Sequence, residues 1–361
     1  MSLRIALVTV YPPNRVPGLR FRIEQYLPFL REAGYTIEWK AFLPSQAYER
    51  FVAPQTGLLA KSLLIGGSFL KAFWQALFRE KWDGLYLYRE ATLLGTSLVE
   101  RLWMRHLPTI LDFDDAIWLK DVSQANRRFA WLKSSQKVVT LIKRAKVVTV
   151  CNSFLSAYAQ QHARAVRIIP TTIDTELYRP KGGEGEGPVV IGWSGSATTT
   201  AHLRTIEPAL RQLYEKYGSA LRFRFIGTMG YTPPFPAELL PWRPETEVQD
   251  LQGITIGLMP LPHDEWSRGK CALKALQYMA LGIPTVVSPV GMNTEVIQEG
   301  VNGLFARTPE EWVEKLSYLI ENPEVRQRLG QAARATVEAY YSVKANQAKY
   351  LEVFEAAFGK P

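Results

Sequence analysis

Residues Asp264–Glu295 read DEWSRGKCALKALQYMALGIPTVVSPVGMNTE, a polar loop, a helix, a short buried strand and a second glycine-bearing loop. The spacing predicts a helix from about Lys270 to Leu281, because Gly282 suits a left-handed cap and Pro284 cannot continue a helix. Leu273, Leu276 and Ala280 line one side of it, and Lys270, Lys274, Gln277 and Leu281 another. Arg268 and Gly269 stand just before the first turn, where free backbone N–H groups and the helix dipole favour an anion. Three cations at a helix start preceded by glycine fit a phosphate site. A solvated basic face on an ordinary amphipathic helix fits the two lysines equally well, so the flanking segments must decide.

The 361 residues suggest two domains, each able to bury its own core. A hydrophobic content of 47% with 21% charged residues is that of a globular chain and excludes wholesale disorder. The formal charge of +9 implies an anionic partner, for which nucleic acid, anionic lipid and phosphorylated metabolites all qualify. Cys151 and Cys271 make no disulfide framework and lack zinc-site spacing, so a reducing cytosol is expected. Leu3–Val10 is too short for a signal peptide's apolar region. Leu58–Phe78, the nearest approach to a membrane span, is interrupted by Lys61 and Lys71.

The N-terminal half reads as a βα array. Arg4–Val10 is a strand buried on both faces, followed by a loop with Gly18, a helix from about Leu19 to Glu32 broken or kinked at Pro28, and the strand Thr36–Trp39. Helical pattern over Leu58–Arg79, Ala91–Met104 and Asn126–Lys143 alternates with strands at Gly84–Tyr88, Thr109–Phe113, Lys146–Val150 and Arg167–Ile169. Asp174–Pro188 is the expected boundary, within which RPKGGEGEGP (179–188), rich in glycine and without apolar residues, is expected to be a flexible, exposed connection. The pattern then restarts with Val189–Trp193, the loop SGSATTT, a helix over His202–Tyr217, strands at Leu221–Ile226 and Ile254–Met259, a short helix at Glu245–Leu251, and the opening stretch with its strand Pro284–Ser288. From Pro309 to Phe358 the chain is helical, with breaks at Pro323 and Tyr340–Ser342. Two such arrays indicate two doubly wound parallel sheets, whose ligands bind beyond the C-terminal ends of the strands.

Several loops at those ends carry candidate chemistry. Gly195 permits close backbone approach, and Ser194, Ser196, Thr198, Thr199 and Thr200 supply hydroxyls, though Ser and Thr also gather before helices as caps. Asp112, Asp114 and Asp115 end one strand and could bind a substrate hydroxyl, act as a base or hold a metal. Substrate binding ranks above metal there, with a structural role close behind. Arg89 and Glu90 occupy the analogous position in the next unit and fit an intramolecular salt bridge equally well. Asp264 and Trp266 would suit sugar hydroxyls and a ring face, and His263 is read as a surface residue. Gly291 suits a tight turn, with Asn293 and Glu295 at the next helix start. Arg15, Arg20 and Arg22 flank Gly18 and fit an anionic acceptor, a lipid head group or, at least as well, a solvated face. Nothing fits a Ser-His-Asp set, a zinc site, a dinucleotide fingerprint or a nucleoside-triphosphatase loop.

Taken together, RGKCALKALQYMALGIPTVVSPVGMNTEVIQEGVNGLFA resembles the donor-binding signature of retaining GT-B glycosyltransferases of family 4, the bacterial group 1 type. IGWSGSATTTAHL, PWRPETEVQDLQGITIGLMPLP and YPPNRVPGLRFRIEQYLPFL are similar to one bacterial branch of it. The resemblance implies an α/β chain with the GT-B fold: two Rossmann-like, doubly wound parallel-sheet domains facing an interdomain cleft. It divides the chain into an acceptor domain (1–173), a linker (174–188), a nucleotide-sugar domain (189–342) and a terminal helix crossing back to the first domain (343–361).

The implied donor site comprises Gly18, Gly195, Ser196, Thr199, Arg268, Gly269, Lys270, Lys274, Gln277, Gly291, Asn293 and Glu295. Asp264 and Trp266 would meet the sugar. Arg20, Arg89, Glu90, Asp112 and Asp115 would meet the acceptor, and Asp112, Asp114, Lys270 and Lys274 would carry catalysis. The family's paired glutamates fall on Gly269 and Gln277, so both are replaced. Gln277 would still reach the ribose hydroxyls, Asp264 or Glu295 would take over from Gly269, and Arg268, Lys270 and Lys274 would neutralise the diphosphate. The resemblance further implies a hexosyl transfer with retention, without metal or other cofactor, from a UDP- or GDP-sugar to a glycan, lipid-linked or small-molecule acceptor in cell-envelope polysaccharide or glycolipid synthesis. The expected location is the cytoplasm, with peripheral contact at the inner membrane face through Leu58–Phe78 or the first loop left open. A GT-B-shaped sugar-nucleotide epimerase or hydrolase is the rival enzyme. A nucleic-acid-binding protein ranks third, because aromatics are not interleaved with the basic residues.

Overall fold

The computed structural model describes residues 2–53, 55–78, 81–119, 134–181, 187–196, 198–228 and 230–361. The chain forms two compact units, Met1–Thr171 with Asn346–Pro361, and Thr172–Ala345. The first unit holds six strands: β1 (Leu3–Thr9), β2 (Tyr35–Ala41), β3 (Gly84–Tyr88), β4 (Thr109–Phe113), β5 (Val147–Val150) and β6 (Val166–Ile168). They lie in the order β2-β1-β3-β4-β5-β6, every neighbouring pair parallel. The second holds β7 (Val189–Ser194), β8 (Leu221–Ile226), β9 (Glu238–Leu240), β10 (Ile256–Met259), β11 (Thr285–Val287) and β12 (Leu304–Phe305). Their order is β12-β11-β10-β7-β8-β9, again all parallel. Most of these strands are buried on both faces, which is why they read as unbroken apolar runs. The short edge strands β9 and β12 carry no such run and escape the sequence reading.

Proline places several helix starts. The first helical stretch divides into Pro17–Arg22, a 3₁₀ turn at Glu24–Tyr26, and Leu27–Glu32, with Pro28 in the opening turn of the last piece. Proline's missing N–H is not needed there. The helix expected at His202–Tyr217 is likewise two, Thr200–Arg204 and Glu207–Tyr217, and the break near Pro323 separates Pro309–Glu321 from Pro323–Thr336. Ala91–Met104 is helical only at Leu98–Trp103, because Ala91 and Thr92 turn their N–H groups onto the buried Glu100 carboxylate, at 3.0 and 3.2 Å. The helix expected at Asn126–Lys143 is seen as Ser135–Arg144, and its first part lies outside the described residues.

The first part of the boundary Asp174–Pro188, before the glycine-rich stretch, is packed into the second unit. Tyr178 is buried, its hydroxyl donates to Glu247 at 2.8 Å, and Arg334 donates to the Tyr178 carbonyl and, at 2.9 Å, to that of Thr175. The composition signal came from the glycine run, most of which (182–186) lies outside the described residues.

The first unit is closed by the last helix of the chain, Val343–Phe358. Tyr350 stacks on Tyr26 with ring centroids 3.9 Å apart, and Phe354 meets Tyr35 and Tyr86. Beneath this aromatic layer is an ion pair withdrawn from solvent. Arg22 Nε donates to Asp112 Oδ2 at 3.1 Å and Nη2 to Oδ1 at 2.5 Å, both residues being 0% exposed. Thr149 donates to the same carboxylate at 2.7 Å, Arg22 also donates to the Ile169 carbonyl, and Tyr350 donates to the Arg22 carbonyl. Burial opposes the charge on Arg22, Asp112 more than offsets it, and the guanidinium is held protonated well above its ordinary range.

Asp112→Ala leaves Arg22 buried without its counter-charge and is expected to destabilise this unit by about 3–5 kcal/mol in urea unfolding. An apolar replacement of the pair, Arg22→Met with Asp112→Leu, should recover more than half of that loss.

Candidate functional site

β11, β10 and β7 are adjacent and parallel, so the loops that follow them leave the same edge of the second sheet side by side. These are the loops read from sequence as the donor site. The one after β7 is a Ser/Thr turn. The Ser196 carbonyl accepts N–H groups from Thr199 at 2.9 Å and Thr200 at 3.1 Å, and both threonine hydroxyls as well. Ser196 N–H donates to Thr199 Oγ1 at 2.9 Å, and the Ser196 and Thr198 hydroxyls pair with each other. The hydroxyls expected to face a ligand are thus largely spent on the loop itself, leaving Ser196 and Thr198 exposed. Gly195 has an internal reason to be glycine, since a Cβ there would overlap the Trp193 ring and come within 2.6 Å of Thr199 Oγ1.

The helix predicted to begin at Lys270 begins at Leu273. Before it stands a single turn, Glu265–Arg268, capped by Asp264, whose carboxylate accepts from Ser267 N–H at 2.7 Å. Between the two lies Ala272 at φ 53°, a left-handed conformation that costs a residue with a Cβ about 1–2 kcal/mol. Lys270 is therefore a connector residue and not a member of a continuous stripe with Lys274. The two still feel each other. Burial, and after it the Lys270 charge, pull the Lys274 ammonium down to about 8. Lys274 Nζ lies 5.1 Å from the centre of the Trp193 ring, and Lys270 Nζ lies 4.7 Å from that of Trp266. Attraction between a cation and an aromatic face holds each where full hydration is lost.

His202, which the sequence reading passed over, belongs to the same cluster. Burial, then the charges of Lys274 and Lys270, lower it to about 4 against the opposing pull of Asp264, so it is neutral at physiological pH. Its Nδ1 is buried and finds no hydrogen-bond partner among the described residues. The only sequence clue was its place in the helix after the WSGSATTT loop.

The loop after β11 is pinned against this connector. Gly291 has φ 54°, and a Cβ on it would come within 2.6 Å of the Arg268 carbonyl oxygen. Asn293 is buried and its amide donates to the Ser288 carbonyl at 2.9 Å, so it orders its own loop and does not face a ligand as expected. Glu295 is exposed on the short helix Asn293–Val296, and Gly269 is buried in the connector. Gln277 also departs from expectation. It is 4% exposed, and its amide donates to Tyr178 and Glu247, each at 3.2 Å; Glu247 in turn accepts from Trp242 at 2.9 Å. Its amide nitrogen is thus committed to that network and not to ribose hydroxyls.

In the first unit the acidic cluster is divided between two arginines. Asp112 belongs to the buried pair with Arg22 and has no surface for an acceptor or a reacting group, which corrects its expected role. Asp114 Oδ1 accepts from Tyr88 and from Arg89 Nε, each at 2.7 Å, and Asp115 pairs with Arg89 at 2.5 Å. Arg89 sits at φ 59°, a conformation rare outside glycine that collects at functional sites. Gly18 lies against this group, because a Cβ there would overlap the Tyr88 hydroxyl and stand 2.5 Å from Asp114 Oδ2. Arg20 is on the same short helix with its guanidinium 5.2 Å from the Phe21 ring. Glu90 turns away to Lys137 at 3.0 Å, and Lys137 is held by the buried Glu100 at 2.8 Å. Tyr11 is a further member the sequence did not indicate. Its hydroxyl is pushed up by burial against the pull of the Arg89 charge.

Residues 204–352 match the model of a family described as glycosyl transferase-like. A curated relative, spore coat protein SA of Bacillus subtilis (strain 168), is 34% identical over 80 residues, a stretch covering 21% of this chain and 21% of that protein. Solved structures align over most of the chain. A sucrose-phosphate synthase from Thermosynechococcus elongatus covers 99% of this chain and 100% of its own with TM-score 0.72 at 13% identity. HepE from Anabaena, crystallised with UDP-glucose, covers 98% and 100% with TM-score 0.65 at 16% identity. TarM covers 79% of this chain and 57% of its own with TM-score 0.59 at 12% identity. At such identities the likeness is one of fold, and the fold is GT-B: two parallel six-stranded sheets with flanking helices.

An anion seated beside Lys274 raises that lysine's proton affinity again, so binding and protonation are linked. Because the free lysine is held at about 8, pyrophosphate affinity should be level below about pH 7.5 and fall above pH 8 by up to tenfold per pH unit. Calorimetry in buffers of differing ionisation enthalpy should show proton uptake on binding in that range.

Proposed function

We propose that the chain is a glycosyltransferase that moves a sugar, a hexose in the first instance, from a nucleotide-diphosphate sugar to an acceptor hydroxyl. The observation that carries this reading is the pairing of Lys270 and Lys274 beside the loop after β7, two mutually repelling cations held partly out of water at the ligand-binding edge of a parallel sheet. Such a pair is stabilised by a ligand with adjacent negative charges. The GT-B fold and the glycosyl transferase-like match over 204–352 support the same reading.

In the reaction the bond from the anomeric carbon to the diphosphate oxygen breaks, and the electron pair leaves with the nucleoside diphosphate. A new bond forms to the acceptor oxygen, whose proton goes to the departing phosphate. The main barrier is charge growing on the leaving group, and fixed cations stabilise that charge as it forms. Lys270, Lys274 and Arg268 serve this role, with Ser196, Thr198 and neutral His202 available as hydrogen-bonding groups. Asp264 and Trp266 flank the same cations and suit the sugar. Arg89, with Asp114 and Asp115, offers a preorganised polar group for the acceptor.

Retention of configuration without an enzymic nucleophile or a metal belongs to this reading, as does a glycan or lipid-linked acceptor in envelope synthesis. UDP is the first nucleotide to try, GDP the second, since HepE of the same fold was crystallised with UDP-glucose.

A thermal-shift panel of UDP, GDP, ADP and their sugars tests the reading, because a ligand bound only by the folded state raises apparent stability. One nucleoside diphosphate should stand out. Lys270→Ala and Lys274→Ala should each weaken it about 10- to 100-fold, the loss of one charge-assisted contact, with little change in unliganded melting temperature. Binding unchanged in both variants would remove the diphosphate assignment. Consumption of the nucleotide-sugar with no acceptor present would point to the epimerase or hydrolase instead.

A further inference from the structure

The helix Leu58–Leu77 in the first unit is built with its bulk outward. Its inward face is small, formed by the buried Ser68, Ala72 and Ala76. Leu59, Leu63, Leu70, Trp74 and Leu77 are between 47% and 76% exposed. At about 100° per residue these five fall on one narrow stripe along some 30 Å of helix. Phe78 continues it past the last turn, 72% exposed and stacked on Trp74 with ring centroids 5.1 Å apart. A helix whose purpose was to fill a core would be turned the other way, with the leucines in and the serine and alanines out.

Charge along this helix has one sign, and Lys71 is the lysine that borders the stripe. From Leu58 to Phe78 the sequence contains Lys61 and Lys71 and no Asp or Glu. Beside the stripe, between this helix and the helix Ser45–Val52, runs a groove of about 790 Å³ whose lining includes Ala47, Leu63, Leu64 and Gly67, with Arg50 and Lys71. An apolar stripe bordered by cations, with an amphipathic aromatic near one end, is complementary to an anionic lipid surface. A second copy offers no acid along this helix to meet Lys71. No described helix is long and apolar enough to cross a membrane.

We propose that this face seats the chain on an anionic bilayer surface, the stripe entering the boundary of the acyl region while Arg50 and Lys71 meet headgroup phosphates. The inference rests on the surface of the first unit and not on sugar transfer, so either can fail alone. The full chain would be sedimented with vesicles of phosphatidylcholine alone and with roughly 30% phosphatidylglycerol added, at low and high salt. It should partition onto the anionic vesicles, and salt should weaken the binding. Leu63→Glu and Leu70→Glu, at positions exposed enough not to disturb folding, should each lower partition at least tenfold, while the thermal shift given by a nucleoside diphosphate stays as in the parent. Arg50→Glu with Lys71→Glu should abolish the preference for anionic over neutral vesicles. Failure to bind anionic vesicles at low salt, or full binding by both leucine variants, overturns the proposal. So does a dimer lost in those variants with no vesicle binding by the parent, which would assign the face to a second copy.

Discussion

Two charges taken wholly out of water must be well paired, and Arg22 with Asp112 meets that demand through two N–H···O bonds, a threonine hydroxyl on the carboxylate and a backbone carbonyl on the guanidinium. The pair joins the first helix to the central strand β4, and Tyr350 joins both to the last helix through the Arg22 carbonyl. Residues more than three hundred positions apart in sequence are thereby fixed around one buried charge. Lys146 and Tyr35 extend the same tie by donating to the carbonyls of Ala357 at 2.9 Å and Gly359 at 2.7 Å. The first unit is therefore discontinuous in a strong sense, since its polar centre is only satisfied once the final sixteen residues arrive.

That constraint divides the acidic run after β4 by function. Asp112 lies within β4 and Asp114 just past its last residue, Phe113, so the two carboxylates meet different partners. Asp112 is committed to the core, whereas Asp114 is turned to the strand ends, where Arg89 bridges it to Asp115. Arg89 reaches both carboxylates from a left-handed backbone held by its N–H bond to the Asp112 carbonyl at 2.7 Å. The buried pair and the exposed-end cluster are thus parts of one arrangement: the strand that anchors Arg22 also presents the carboxylates that hold Arg89.

Element type was legible wherever packing leaves a pattern in the residues. Doubly buried strands gave apolar runs, Gly282 at φ 71° ended its helix where expected, and Pro28 divided another. Conformation dictated from a distance was not legible. Nothing about an alanine announces φ 53°, so the break at Ala272 and the late start of its helix followed from tertiary contacts, the close approach of Gly291 to Arg268 among them. Gln277 lay at the right spacing for a ligand, but its partners Tyr178 and Glu247 come from segments with no local link to it. His202 was missed for the same reason: a lone histidine in a helix gains meaning only from the lysines folded against it.

The cations of the second unit suggest how the proposed diphosphate site would work without the two acids. In the family pattern that this chain resembles, glutamates stand at the positions of Gly269 and Gln277. Here one position is buried backbone and the other a core amide, so neither contributes charge. What remains near the loop after β7 is positive charge held out of water: burial first, and the neighbouring lysine charges after it, pull Lys274 to about 8 and His202 to about 4. Burial, with mutual repulsion added to it, raises the energy of the empty site. A dianion relieves it, so part of the binding free energy comes from a penalty already present before the ligand arrives. The same penalty returns when the ligand leaves, which makes the site most favourable to the species with the greatest negative charge. In a group transfer that breaks a bond to the diphosphate, that species is the departing one, and a site biased toward it favours the bond-breaking step over the ground state.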